Sequence, residues 1–259
     1  MAPRLAGTLD TFARRVALTN MSEVDLSDLA RGYVFRPLSD AARSRATDAV
    51  RGRTGIVVDV GGGTGAHAHQ WTGPGRTPVL VDPSTAMCLE AVRRGTFAVV
   101  QGVSQAIPLV TSCAELVYFH LSIHYGSYRD AIDEAARIVT PGGLIEIWTF
   151  APEAMASSAL ALWFPRVGEI DAERFPSITS LVGVLRGHGY SVSVSERPES
   201  VTRPAAAWEL AVRNRFVSTL QFLSPAEIDE GLERFRSAFP DPGEPYTYSI
   251  EFLRIRASM

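Results

Sequence analysis

Lysine is absent from this chain, and all 25 basic residues are arginine. This reads as a bias of genome composition, yet it excludes the Tyr-x-x-x-Lys pair used at many hydride-transfer sites. Cysteine is nearly absent too. Cys88 and Cys113 are too few for a disulfide framework and lack the paired spacing of a zinc site, so no metal centre is expected and a reducing compartment fits. Long apolar runs are missing. The segment Met1-Ala2-Pro3-Arg4 leads to Asp10 before any apolar h-region forms, and no uncharged stretch is long enough to span a bilayer. An excess of positive charge is lacking as well: the net charge of -3 offers no electrostatic footprint for nucleic acid. Together these absences predict a cytoplasmic protein that acts on a small molecule, with neither membrane nor nucleic acid as partner. They leave the oligomeric state open.

What is present fits an ordinary globular protein, with 259 residues, 46% of them hydrophobic and 20% charged. The length allows one α/β domain with a helical appendage. Residues 1–50 read as that appendage. Two or three helices run from about Leu9 to Val50, with Asp25 and Ser39 as caps and a Tyr33-to-Leu38 connector broken by Pro37. Residues 51–150 change character, to short β-branched runs separated by helical stretches, the signature of βαβ units and a parallel sheet covered on both faces. The runs are Ile56 to Val60, Pro78 to Val81, Phe97 to Gln101, Glu115 to Phe119 and Leu144 to Phe150. In residues 151–259 the pattern predicts helices over Ile178 to His188, Pro204 to Arg215 and Pro225 to Phe239, and strands over Tyr190 to Ser195 and Tyr246 to Arg256. No internal repeat or linker marks a second domain.

The first strand, Val57-Val58-Asp59-Val60, runs into Gly61-Gly62-Gly63-Thr64-Gly65, where a helix should begin. Glycine there permits positive φ and close backbone approach, and the helix start behind it offers N–H groups to an electron-rich ligand. Gly61-x-Gly63-x-x-Ala66 also satisfies the relaxed dinucleotide fingerprint, with Asp82 lying 21 residues after Gly61 as a ribose-binding acid. A carboxylate at the end of the second strand can accept from both hydroxyls of a ribose diol, whichever nucleotide cofactor carries it.

Further motifs follow in order: Val81-Asp82-Pro83-Ser84 with Met87, Gly102-x-Ser104-Gln105-x-Ile107-Pro108, and Thr140-Pro141-Gly142-Gly143. With the acidic glycine loop they resemble the successive motifs of class I S-adenosylmethionine (SAM) methyltransferases, and most nearly the type 11 small-molecule group. The resemblance covers Tyr33 to Phe150, and reaches Phe175-Pro176-Ser177 and Gly187-His188-Gly189-Tyr190 more loosely. It implies a Rossmann-like, doubly wound seven-stranded sheet with the last strand antiparallel, and an N-terminal helical cover. It also implies an insertion over the acceptor, at Ala151 to Ser177 or Thr202 to Ala238. The cofactor implied is SAM. The loop from Asp59 through Gly61, Gly62, Gly63 and Gly65 would line its methionine and ribose, Asp82 would hold the diol, and Pro83 and Met87 would border the adenine. Val103 stands where many relatives carry an acid, so Gln105 or a backbone carbonyl would take the adenine amino group, while the Ser104 N–H reaches a ring nitrogen. His120 would border the cofactor. Tyr33 and Arg36 resemble an entry segment that folds over the cofactor and binds its carboxylate.

The reaction implied is methyl transfer to an oxygen, nitrogen or carbon of a small, partly apolar metabolite. The candidate base is His124, in the aromatic stretch Tyr118 to Tyr125 that follows strand four. His67 and His69 are expected to face solvent or a neighbouring helix, and His188 to be structural. Trp148, Phe150, Trp163 and Phe164 read either as walls of an acceptor pocket or as plain core. Two other readings remain: a SAM-binding cyclase or pericyclase that does not methylate, and an NAD-dependent oxidoreductase that uses the same glycine loop. A non-catalytic partner subunit would tolerate loss of that loop, which here is intact.

Overall fold

The computed structural model describes residues 38–259. Tyr33, Arg36 and the predicted helices before Leu38 lie outside them. The first described helix, α1 (Asp40–Ala49), starts where Ser39 caps it, its side chain accepting from the Ala42 N–H. Ala42, Ala46 and Ala49 form its buried face. The small side chains allow close approach, and the Trp71 indole donates to the Ala46 carbonyl at 2.8 Å.

Five parallel strands follow: β1 (Gly55–Val60), β2 (Arg76–Asp82), β3 (Ala98–Gln101), β4 (Ala114–His120) and β5 (Val139–Thr149). Between them lie α2 (Ala66–Gln70), α3 (Thr85–Arg94) and α4 (Tyr128–Ile138). After β5 come α5 (Pro165–Arg174), α6 (Ile178–Gly187), β6 (Ser191–Pro204), α7 (Ala205–Arg213), α8 (Pro225–Ala238) and β7 (Pro245–Ser258), with short 3₁₀ turns at Pro152–Ser157 and Ser218–Phe222. The seven strands form one sheet in the order β3-β2-β1-β4-β5-β7-β6, with β7 antiparallel to both its neighbours. The expected fold class is therefore the observed one.

Strands buried on both faces explain the near-continuous apolar runs. Val58, Val60, Val81 and Phe119 face the layer that holds α4 and α6. Val57, Leu80, Leu116 and Tyr118 face the opposite layer, with Trp71 and Ala46. Chain order reverses at β1: β2 and β3 lie on one side of it, β4 and β5 on the other. The loops leaving β1 and β4 therefore diverge and open a crevice at the carboxyl ends of the strands, where ligands bind in open α/β sheets.

The main departure from expectation is β6, predicted to end at Ser195 but continuing to Pro204. It pairs with β7 along its whole length, while β7 pairs with β5 only from Leu253 to Ser258. Arg197–Pro204 and Pro245–Phe252 thus form a two-stranded arm that projects past the carboxyl end of β5. The run of charged and proline residues that disguised β6 is tolerated because it is an edge strand, where Pro198 needs no outer partner. The arm carries a second core. Phe164, Val167, Trp208, Val212, Leu220, Ile228, Leu232, Phe235 and Tyr246 pack together, so the two stretches expected as alternative places for one insertion join in one cap. Among the described residues no helix is long and apolar enough to cross a membrane.

Candidate active site

A cavity of about 590 Å³ opens at the crevice between the ends of β1 and β4. Asp59, Gly61, Gly62, Gly63, Asp82, Pro83, Met87, Ser104, Gln105 and His120 all line it. Gly65 does not; it caps α2 with φ 76°.

The glycines are required by space more than by hydrogen bonding. Gly61, with φ 68°, lies so close to the loop after β4 that a Cβ there would stand 2.5 Å from Ser122 Cβ. The same loop is held by Ser122, whose hydroxyl donates to the Val60 carbonyl at 2.6 Å. A Cβ on Gly62 would meet the Asp59 carboxylate at 2.6 Å. Three N–H groups of the loop are already used. Gly61 N–H donates to Val81 O, Gly63 N–H to Asp82 and Gly65 N–H to Gly62 O. The helix behind them, α2, is only five residues long.

Asp82 is the best organised group in the cavity. Its Oδ2 accepts from Gly63 N–H at 2.9 Å and its Oδ1 from Ser84 N–H at 2.9 Å. Each oxygen keeps lone-pair capacity for one further donor, the arrangement a vicinal diol needs. Burial raises its pKa to about 6, against the opposing pull of the Ser84 and Gly63 amides. Asp59 is buried more completely, and burial raises its pKa to about 7, with the Asp82 charge adding to the rise. The Ala68 amide lies near enough to favour the Asp59 anion, but neither Asp59 oxygen completes a hydrogen bond of normal geometry.

Pro83 and Met87 form an apolar wall at the start of α3, whose cap Ser84 accepts from Met87 N–H at 3.3 Å. Gln105 is tied down, its amide donating to the Tyr125 carbonyl at 2.9 Å, so it links the third motif to the loop after β4. Leu121, also on the cavity wall, adopts φ 52°, which a branched side chain rarely does. No sequence signal marks it.

Two of the histidines, His67 and His124, are placed differently from expectation. His67, expected to face solvent or a neighbouring helix, is buried at the cavity with its ring 4.4 Å from that of His120, and His120 in turn packs against Phe252 at 5.6 Å. His124 does not line the cavity. Its ring packs on Phe175 at 4.1 Å and Tyr125 at 4.3 Å, and its Nδ1 is sealed without a hydrogen-bond partner. Burial, and then the Arg174 charge, hold its pKa well below the ordinary imidazole value. His188 lies outside the site, paired with Asp133 at 2.7 Å. Trp148 is buried beneath the site, while Trp163 and Phe164 belong to the cap core and line nothing.

The remaining wall comes from residues that motif reasoning missed. On the arm, Glu199, Val201 and Arg203 of β6 and Tyr248, Ile250 and Phe252 of β7 all face the cavity. They share one face because strand side chains alternate, and the register sets Glu199 opposite Ile250 and Val201 opposite Tyr248. Glu199 accepts from the Ser39 hydroxyl and pairs with Arg45, so the arm is fastened to α1. The Arg45 guanidinium lies over Phe252 at 4.6 Å and Trp148 at 5.0 Å. Strand alternation could have found this face, had β6 been traced to its full length.

The order of this sheet, the glycine turn after β1 and the buried carboxylate at the end of β2 are those that the resemblance to class I SAM-dependent methyltransferases implies. Residues 58–147 match the model of the methyltransferase domain family. A malonyl-[acyl-carrier protein] O-methyltransferase from Enterobacter lignolyticus is 31% identical over 133 residues, which are 51% of this chain and 53% of that protein. The chain thus spans about half the length of that curated relative. Among solved structures, a protein from Anabaena variabilis assigned as a methyltransferase of an antibiotic biosynthesis pathway superposes with TM-score 0.67 at 20% identity, covering 84% of this chain and 96% of that one. Geranyl diphosphate C-methyltransferase from Streptomyces coelicolor superposes with TM-score 0.51 at 16% identity, covering 84% of this chain and 78% of the other.

Proposed function

We propose that the protein transfers a methyl group from SAM to a small, partly apolar acceptor held between the sheet and the arm. The observation that carries this reading is the Asp82 carboxylate, held by two backbone N–H groups at the cavity and still able to accept from a diol. The residues fit the cofactor: Asp82 takes the ribose, Pro83 and Met87 the adenine, and the Asp59–Gly63 turn leaves room for the methionine end. SAM would supply an electrophilic methyl on a sulfonium centre, whose positive charge is lost on transfer.

The chain's own contribution is position and dryness. His67, His120 and Phe252 form an aromatic collar of the kind that attracts a cation, while the arm and cap shield the acceptor side from water. Holding two reactants in line contributes roughly 7–11 kcal/mol to lowering the barrier. No side chain is needed as a nucleophile. His124 is assigned a packing role against Phe175, and His124→Ala should keep turnover within about tenfold once stability is matched.

The test is calorimetric titration with S-adenosylhomocysteine and, separately, with NAD, followed by incubation with methyl-labelled SAM and a small-molecule extract. Binding of S-adenosylhomocysteine tighter than NAD, with a labelled product one methyl heavier, is expected. Preference for NAD would refute the proposal, and cofactor binding with no label transferred would favour non-methylating chemistry.

A further inference from the structure

The acceptor half of the cavity contains one charged group with no assigned work. Arg203 lines the cavity from β6, and among the described residues its side chain has neither a carboxylate partner nor a hydrogen bond, only ring contacts. The other cations on the cavity wall are engaged. Arg45 pairs with Glu199, Arg43 pairs with Asp40, and Arg94 donates to the Thr64 carbonyl. Arg203 is instead held between two rings, its guanidinium carbon 5.8 Å from the Phe216 centroid and 5.8 Å from that of Tyr248. Aromatic contacts orient the guanidinium plane while leaving its N–H edges unused, and those edges match a carboxylate in a forked pair.

We propose that Arg203 is the anion-binding group of an acceptor subsite, and that the acceptor carries a carboxylate on an aromatic or aliphatic body. The subsite rests on the methyl-transfer reading for its place beside the cofactor. Phe216, from the segment between α7 and α8, and Tyr248, on β7, receive the apolar body next to the charge. The cap thereby gains a specific purpose, since it brings Phe216 to a strand that alone could offer only an exposed arginine.

The experiment compares matched carboxylates and amides, 3-phenylpropanoate with 3-phenylpropanamide and octanoate with octanamide. Each is titrated into wild type, Arg203→Gln and Arg203→Lys, with and without S-adenosylhomocysteine. Wild type should prefer the carboxylates by about ten- to a hundredfold, the range of a charge-assisted hydrogen bond. Arg203→Gln should abolish that preference, with amide and S-adenosylhomocysteine affinities unchanged. Arg203→Lys should retain part of it, which separates a lost charge from a damaged fold. Equal binding of acid and amide, binding of neither, or an unaltered preference in Arg203→Gln would overturn the proposal. So would a parallel loss of S-adenosylhomocysteine affinity, which would give Arg203 to the cofactor's own carboxylate. If S-adenosylhomocysteine fails to bind wild type while the carboxylate preference persists, the methyl-transfer reading falls and the anion subsite stands.

Discussion

Asp59 and Asp82 lie in the same cavity and are both pushed towards the neutral form by burial, yet they should respond differently to mutation. Folded Asp59 keeps its proton up to about pH 7, whereas the unfolded chain gives it up near 3.8, so between those values the native state binds more protons and loses stability as the pH rises. Asp59→Asn removes that titration. Its unfolding free energy should gain on wild type progressively from pH 4 to pH 8, by an amount of order a few kcal/mol at the upper end, as read by denaturant titration at each pH; a constant gap across this range would refute the assignment. Asp82 must be ionised to serve a diol fully, so S-adenosylhomocysteine affinity should fall as the pH drops through about 6. Asp82→Ala should weaken binding by about 1.5–3 kcal/mol, because it removes two charge-assisted acceptors and strands the Gly63 and Ser84 amides. Calorimetry at pH 8 measures the loss. Both acids were legible in the sequence, since a glycine turn and an acid 21 residues on carry their own chemistry. His67 and Arg203 were not, because a lone histidine or arginine in a helix or strand gives no sign of which cavity its face will meet.

At the level of elements, the least legible feature is the arm, and it does the most to shape the acceptor side. Edge position lets β6 carry Glu196, Arg197, Pro198 and Glu199 in succession, which erases the alternation by which strands are recognised. Its partner β7 alternates clearly and was traced to within two residues at its carboxyl end. The arm is tied to α1 by Glu199, which is buried between Ser39 and Arg45. Removing the carboxylate leaves the Arg45 guanidinium uncompensated against Phe252 and Trp148. Glu199→Ala should therefore lower the unfolding free energy by about 3 kcal/mol, the lower end for breaking a buried pair, since Arg45 retains 13% of its side-chain exposure. The shift of the urea midpoint reports it. Glu199→Gln, still able to accept from Ser39, should lose less, and the double change Arg45→Met with Glu199→Leu should recover most of the loss. If both single variants prove neutral, α1 and the arm are not coupled through this pair.

On the scale of the whole molecule, the protein has a sheet core built by regular βαβ units and a cap core built around Trp208 and Phe235, whose rings lie 4.1 Å apart. The parallel core of the sheet followed from the repeat of apolar runs and helices, because each unit buries its own strand, while the seven-stranded sheet with its antiparallel last strand followed from the family resemblance. The cap did not, because its members come from stretches far apart in sequence and share only their burial. The two cores meet through the arm, with Tyr246 packed in the cap and Phe252 in the sheet layer. Two separately packed cores should open with different free energies. Trp208→Ala removes a fully buried side chain, costing about 3–5 kcal/mol in a rigid site. Hydrogen exchange should then show protection lost over α7 and α8 while β1, β4 and β5 keep theirs. S-adenosylhomocysteine affinity should stay within about threefold, since Asp82 and the glycine turn lie in the sheet core, whereas turnover should fall sharply as Phe216 leaves the acceptor wall. Uniform loss of protection across both cores would show instead that the cap and the sheet form a single cooperative unit, and that the acceptor site cannot open without loosening the cofactor site.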